Sequence, residues 1–128
     1  PYPFLKDNTR LPEARLASGE EVIRVISVSR IMLDNIPHIK AYRMNIGDHL
    51  STIAINSGAD DIDGTVGHEE IMHVAGSTTS LNYDSNKLGN LIDSAGQNPV
   101  KRDSTYTRFE PLKIKSRRES KLLPIIGQ

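Results

Sequence analysis

The sequence predicts an α/β fold in which helices and short parallel strands alternate. Three observations carry this: apolar stretches of helical period take turns with short extended ones, a serine or an aspartate opens helices, and glycine or proline closes them. The strands are too few for a closed barrel. Short strands under broadly apolar helices leave sheet edges unpaired and helix faces uncovered, so something else should complete the structure.

The opening segment, residues 1–17, contains three prolines and is expected to be loop or extended chain. Ser18-Gly-Glu-Glu21 has the spacing of a capping box, and a helix is predicted over 19–34. Its apolar residues Val22, Ile23, Val25, Ile26, Val28, Ile31, Met32 and Leu33 cover more than one face, as in a helix packed on several sides. Asn35-Ile-Pro37 breaks it, and a strand is predicted over 38–44. A second helix, 48–57, follows Gly47 and ends at Gly58, a residue suited to a left-handed cap. An extended piece, 59–63, leads through Gly64-Thr-Val66 to a third helix, 67–75, closed by Gly76. Residues 77–80 form a loop, and Asp84 caps a fourth helix over 85–95 with Leu88, Leu91, Ile92 and Ala95 on one face. From Asn98 onward the chain is expected to be extended or irregular.

With 128 residues the chain is about one small domain long. Sixteen basic and sixteen acidic side chains cancel, so no global field argues for nucleic acid or a membrane as partner. Cysteine is absent, which excludes disulfides, thiolate zinc sites, a cysteine nucleophile and a cysteine-ligated cluster. No apolar run approaches the roughly 20 residues that span a bilayer. A soluble, cytoplasmic chain is expected. A start at Pro1 without methionine is expected of a processed, split or truncated product.

The densest polar cluster is Asp60-Asp-Ile-Asp63-Gly-Thr65, directly after a predicted strand. Ligands of parallel α/β folds bind at the carboxyl ends of strands, where acidic and hydroxyl side chains can reach a ribose, an amine or a metal-bound water. A turn rich in Asx caps explains the same residues. The glycine and closing glutamate of a calcium loop are not in place. In His68-Glu-Glu70-Ile-Met-His73, Glu70 and His73 have the E-x-x-H spacing of di-iron bundles, but no second copy exists, and a pair on an exposed helix face is the plainer reading. No metal site is predicted. Neither a G-x-S-x-G elbow, a G-x-G-x-x-G turn nor a phosphate loop occurs. Lys113, Lys115, Arg117, Arg118 and Lys121 read as a solvated basic tail.

Several segments together resemble one family. Phe4-Leu-Lys-Asp-Asn8-Thr-Arg-Leu11 is similar to F-H-P-x-N-T-x-L, and Ser29-Arg-Ile-Met-Leu-Asp34-Asn-Ile-Pro-His38-Ile-Lys-Ala-Tyr42 to S-R-L-M-L-D-N-I-P-H-I-K-A-Y. Gly58-Ala-Asp-Asp-Ile-Asp63-Gly-Thr-Val66 is similar to G-A-D-D-L-D-G-T-V. Glu69, Ile71, His73, Ala75 and Gly76 fit E-x-[KE]-I-x-H-x-A-G, and Pro99-Val-Lys-Arg-Asp103-Ser-Thr-Tyr106 resembles P-V-E-R-D-T-L-Y. The family is that of the menaquinone-pathway radical S-adenosylmethionine enzymes, with deazaflavin cofactor synthases as cousins. Asp63 favours the aminofutalosine synthase branch, because the cousins and the futalosine cyclases usually lack an aspartate there.

The resemblance implies the C-terminal portion of a partial TIM-type barrel over residues 1–109 and a basic tail over 110–128. It implies S-adenosylmethionine and a 4Fe-4S cluster as cofactors of the full-length enzyme. The reaction adds a deoxyadenosyl radical to the enol ether of 3-[(1-carboxyvinyl)oxy]benzoate and gives aminodeoxyfutalosine. The cluster's C-x-x-x-C-x-x-C motif belongs to the N-terminal half, so a cysteine-bearing half or partner chain is implied beside the small-molecule substrate. Position at strand ends makes Asn8, Thr9, Tyr42, Asn45, Asp61, Asp63 and Thr65, with Glu69, the residues expected to bind substrate or S-adenosylmethionine; no residue is assigned a catalytic role. Three features depart from the family pattern: Arg43 stands where tryptophan is common, Leu5-Lys6 replaces H-P, and Gly67-His68 replaces Val-Glu. A non-catalytic nucleoside-binding or interaction module derived from the family is the alternative.

Overall fold

The computed structural model describes residues 2–65 and 70–114. They form a mixed α/β unit with two small sheets, one parallel and one antiparallel. The elements are α1 (Gly19–Met32), β1 (Lys40–Ala41), α2 (Arg43–Ile55), β2 (Asp61–Ile62), α3 (Glu70–Val74), α4 (Ser85–Ser94), β3 (Val100–Arg102) and β4 (Phe109–Pro111).

The capping box opens α1 as expected: the Glu21 N–H donates to Ser18 Oγ, and the Ser18 N–H donates to the Glu21 carboxylate at 2.8 Å. Arg15 pairs with the same carboxylate, and this bond together with the Ser18 bonds holds Glu21 down at about 2. The helix stops at Met32, short of the expected Asp34. Pro37 has no N–H to offer the Leu33 carbonyl, so the helical ladder cannot run on through this segment. Nor is α1 covered on several sides. Val22 and Ile26 are buried, with Ile23 beside them, while Val25, Val28, Ile31 and Met32 are exposed.

The strand expected over 38–44 is reduced to β1, because the chain enters α2 at Arg43 rather than at Asp48. Two helical pieces merge there across Gly47, whose φ of 79° is open to glycine and costly for other residues. Met44 and Asn45 therefore lie in a helical turn, not a strand. α2 then returns the chain to β2, which pairs in parallel with β1 in the register Lys40 to Asp61 and Ala41 to Ile62. The core gathers around this pair from Val22, Ile26, Ile39, Ala41, Ala54, Ala59, Ile62 and Leu88.

Glu70 is the first described residue of α3; the remainder of the helix expected from Gly67 lies outside the described residues. Asp84 caps α4 by accepting the Lys87 N–H at 2.8 Å. Of the extended or irregular chain expected from Asn98, Val100–Arg102 and Phe109–Pro111 are extended as the two strands of an antiparallel hairpin, with Val100 facing Pro111 and Arg102 facing Phe109. The fold class is thereby corrected to one with both parallel and antiparallel strands. No apolar alternation announced these strands; side-chain bonds organise their turn. The Asp103 carboxylate accepts the Thr107 N–H and hydroxyl and the Thr105 hydroxyl, which pull its pKa well below the usual range. Gly89 of α4 leaves room for Leu112 and Ile114: a Cβ there would come within 2.6 Å of Leu112. The basic run beyond Lys113 lies outside the described residues.

Gly58 follows α2 with φ +121°, and a Cβ there would sit 2.9 Å from Arg30 Cβ. Arg30 cannot retreat freely, because its Nε donates to the Gly58 carbonyl at 2.7 Å and its Nη2 to Asp60. Gly58→Ala should therefore destabilise the chain by about 1–3 kcal/mol, read as a lower urea midpoint at unchanged slope.

Candidate functional site

β1 and β2 run in the same direction, so Tyr42 and Arg43 leave the sheet at the same end as Asp63. This carboxyl end is where a parallel sheet offers side chains to a ligand. Of the three aspartates of the predicted acidic cluster only Asp63 follows β2; Asp60 precedes the strand and Asp61 is its first residue.

Asp60 accepts from Arg30 Nη2 of α1, from the Ile39 N–H at 2.7 Å and contacts His38 Nδ1 at 2.7 Å. Burial raises its pKa, but His38, the Ile39 amide and the Arg30 charge outweigh burial and leave the carboxyl below its usual range. Asp61 is enclosed by the hairpin. Arg102 donates to both of its oxygens at 2.9 and 2.8 Å, the Tyr106 hydroxyl donates at 2.6 Å, and Lys40 Nζ lies 3.5 Å away. Here too burial is outweighed, by Arg102 first and then Tyr106, and the carboxyl titrates low. His38 stacks on Tyr106 with ring centroids 4.4 Å apart.

Asp63 differs. It is 3% exposed, and its Oδ1 accepts the Arg43 N–H, while Oδ2 has no hydrogen-bond partner among the described residues. Burial dominates and pushes this carboxyl above its usual value despite nearby backbone N–H groups and Arg43. Arg43 Nε lies 3.8 Å from Asp63 Oδ2 and is likewise buried without a hydrogen-bond partner. Both atoms of the Asn45 carboxamide share that condition. Three side chains within four residues of a strand end thus carry buried polar atoms without a hydrogen-bond partner among the described residues. Such atoms cost roughly 1–3 kcal/mol each unless something binds them.

The rest of Arg43 is well held. Its guanidinium is fully buried, donates to Asp48 at 3.1 Å and to the Ser80 carbonyl at 3.1 Å, and lies 4.2 Å from the Tyr83 ring centroid. Tyr83 in turn donates to Asp48. Ser77 donates to the Met44 carbonyl at 2.6 Å, which packs the loop after α3 onto the same strand end.

The sequence profile of the CofH/MqnC C-terminal region matches residues 1–114. The chain belongs to this family. It is 34% identical over 110 residues to an aminodeoxyfutalosine synthase of Thermus thermophilus, covering 83% of this chain and 30% of that protein. A 5-amino-6-(D-ribitylamino)uracil–L-tyrosine 4-hydroxyphenyl transferase of Methanoculleus marisnigri is 33% identical over 110 residues, covering 83% and 30%. A cyclic dehypoxanthine futalosine synthase of Streptomyces coelicolor is 31% identical over 108 residues, covering 83% and 26%. The chain spans less than a third of the length of each.

Within this family region, the expected site residues do not form one constellation. Asp63 is buried after β2, the Asn45 carboxamide atoms are buried in the first turn of α2, and Tyr42 is the residue before α2, its ring 4.9 Å from Tyr2. Asp61 is fully engaged by the hairpin. Thr65 is exposed at the rim of a cleft of about 660 Å³ between β2, α4 and the hairpin. Asn8 donates to the Val74 carbonyl at 3.0 Å and fastens the N-terminal segment to α3, while Thr9 donates to the Lys6 carbonyl at 2.8 Å within that segment. Glu69 lies outside the described residues. His73 Nε2 contacts the Thr79 carbonyl at 2.8 Å. Arg43 was noted in the sequence only as a departure from the family pattern; its partners Ser80 and Tyr83 lie 37 and 40 residues away and leave no local signal.

The contrast among the aspartates gives a pH test. A carboxyl whose folded pKa is raised contributes stability below its unfolded pKa, near 4, and loses it as pH rises through the folded value. Asp63→Asn should therefore gain stability relative to the unsubstituted chain between pH 4 and 7, by urea midpoint. Asp61→Asn should show the opposite trend, its deficit being largest near neutral pH and shrinking as pH falls below the unfolded value near 4.

Proposed function

We propose that this chain is the substrate-side, C-terminal part of a radical S-adenosylmethionine aminodeoxyfutalosine synthase, transferring an adenosyl group to 3-[(1-carboxyvinyl)oxy]benzoate. On this reading residues 1–109 contribute the last strand–helix units of a partial TIM-type barrel and 110–128 follow as a tail. The observation that carries it is the group of unmatched buried atoms at the carboxyl ends of β1 and β2: Asp63 Oδ2, Arg43 Nε and the Asn45 carboxamide.

The cofactors divide. With no cysteine, this chain offers no thiolate to an iron–sulfur cluster, and nothing here fits that group. A cysteine-bearing half must hold it. The strand-end atoms do fit a nucleoside: one carboxylate oxygen accepts, one guanidinium N–H donates, and one carboxamide does both, which matches hydroxyl groups that donate and accept. S-Adenosylmethionine, when bound and cleaved at the cluster, supplies the deoxyadenosyl radical. The work of this chain is to bind and orient. Asn45 and Asp63 hold hydroxyls, and Arg43 fixes Asp63 through its backbone N–H and offers its Nε.

Asp63 also favours the aminodeoxyfutalosine branch over the cyclase and the transferase. The absence of cysteine favours one further reading, a nucleoside-binding module without turnover. Anaerobic reconstitution separates the two. The chain is combined with a polypeptide carrying C-x-x-x-C-x-x-C, and S-adenosylmethionine cleavage and adduct formation are followed by mass spectrometry. Turnover should require both components and fall about 10- to 100-fold in Asn45→Ala, the loss expected for one buried hydrogen-bonding group. Turnover by the lone chain would sink the proposal, and nucleoside binding without turnover in the combined system would favour the module.

A further inference from the structure

The cleft of about 660 Å³ between β2, α4 and the hairpin has walls that are mainly apolar. Ile55 comes from α2, Ile62 from β2, Leu88 and Ile92 from α4, Val100 from β3, and Leu112 from the chain just after β4. Charged groups along it are engaged with one another or with α1: Asp60 with Arg30 and His38, Asp61 with Arg102 and Tyr106. A small polar ligand would find few free partners there, whereas an apolar occupant would leave few polar groups stranded. Residues 59–65 all line the cleft, so β2 meets it along its whole length. β1 covers one edge of β2, and among the described residues no strand pairs with the other. An open strand edge beside an apolar cleft is a template for one more strand.

The chain itself leads there. After β4, Leu112 and Ile114 are partly buried while Pro111 and Lys113 are exposed, the alternation of an extended segment. The Leu112 N–H donates to the Pro99 carbonyl at 3.0 Å, and both Leu112 and Ile114 pack where Gly89 of α4 leaves them room. Gly89 lines the cleft, and Ile114 is the last described residue, so the chain leaves the described structure at a wall of the cleft. The sequence then runs through a polar stretch, 115–121, to Leu122-Leu-Pro-Ile-Ile126. That stretch can span roughly 25 Å, enough to turn back over the cleft. Pro124 biases Leu123 toward extended backbone and is tolerated in an edge strand, where its missing N–H faces away from the ladder.

We infer that residues 122–126 of this chain dock in the cleft as an edge strand beside β2, with leucine and isoleucine side chains against Ile62, Leu88 and Ile92. The basic run before them is then the connection that carries the chain back, rather than a free tail. The inference does not rest on the nucleoside reading.

Hydrogen exchange of the full chain, followed by mass spectrometry, tests this without ligand or partner. Amides of residues 61–65 should be protected in the unsubstituted chain, and their protection should fall at least tenfold in Leu123→Asp/Ile125→Asp. Ser116→Asp/Ser120→Asp adds the same two charges outside the apolar run and should leave that protection unchanged. Residues 22–32 of α1 report the global fold; if they lose protection in the first double variant, Leu123→Asp alone is read in its place. Equal protection of 61–65 with and without the substitutions at 123 and 125 overturns the inference, and so does an equal loss in the serine control. Protection that rises with protein concentration would assign the cover to a second copy and overturns it as well.

Discussion

Two ladder pairs cannot hold a parallel sheet together, and what holds this one is the fan of carboxylates on and around β2. Asp60 ties the strand to α1 through Arg30, Asp61 ties it to the hairpin through Arg102 and Tyr106, and Asp63 ties it to the end of β1 through the Arg43 amide. Each pair is at least half-shielded from water, so it is weakened less by the solvent than an ion pair on an open surface. Because the three carboxylates diverge, they fix β2 against three different elements. The core of small and medium apolar residues then fills the space that this fan defines.

The same fan contains a tension. Asp60 and Asp61 find enough donors to titrate low, and they act as fastenings. Asp63 is buried beside a guanidinium that spends its other donors on Asp48 and Ser80. Its second oxygen, the Arg43 Nε and the Asn45 amide stay unmatched by the described protein groups, an arrangement that burial makes expensive. Proteins retain such costs where a ligand offsets them. Arg43 deepens the point, because the residue that departs from the family pattern is the one that organises this strand end.

Much of the frame was legible from local pattern. The Ser18 capping box, the Asp84 cap, Gly58 after α2 and the order of helices and parallel strands all read directly, since each depends on groups a few residues apart. The early start of α2 was not legible, because Gly47 looks like a helix boundary and is a kink inside one. The hairpin was missed for a different reason. Its strands are exposed except at Arg102 and carry Lys101, Arg102 and Glu110, so no apolar alternation marks them, and Asp103 closes their turn.

By itself the sequence determined the family, the absence of any cluster-ligating thiolate, and an acidic cluster around a parallel strand, of which only Asp63 follows β2. It also determined that apolar helix faces would outnumber the surfaces available to cover them. Only the tertiary structure decided which aspartates are held by several donors and which one keeps an oxygen without a hydrogen-bond donor among the described residues, 3.8 Å from Arg43 Nε. It decided, too, which flank of α1 stays open. The physical reason is distance along the chain: the partners of Asp60, Asp61 and Asp63 reach back or forward by 20 to 45 residues. Periodicity encodes the face a side chain occupies, whereas the partner waiting on that face is set only when the chain closes on itself.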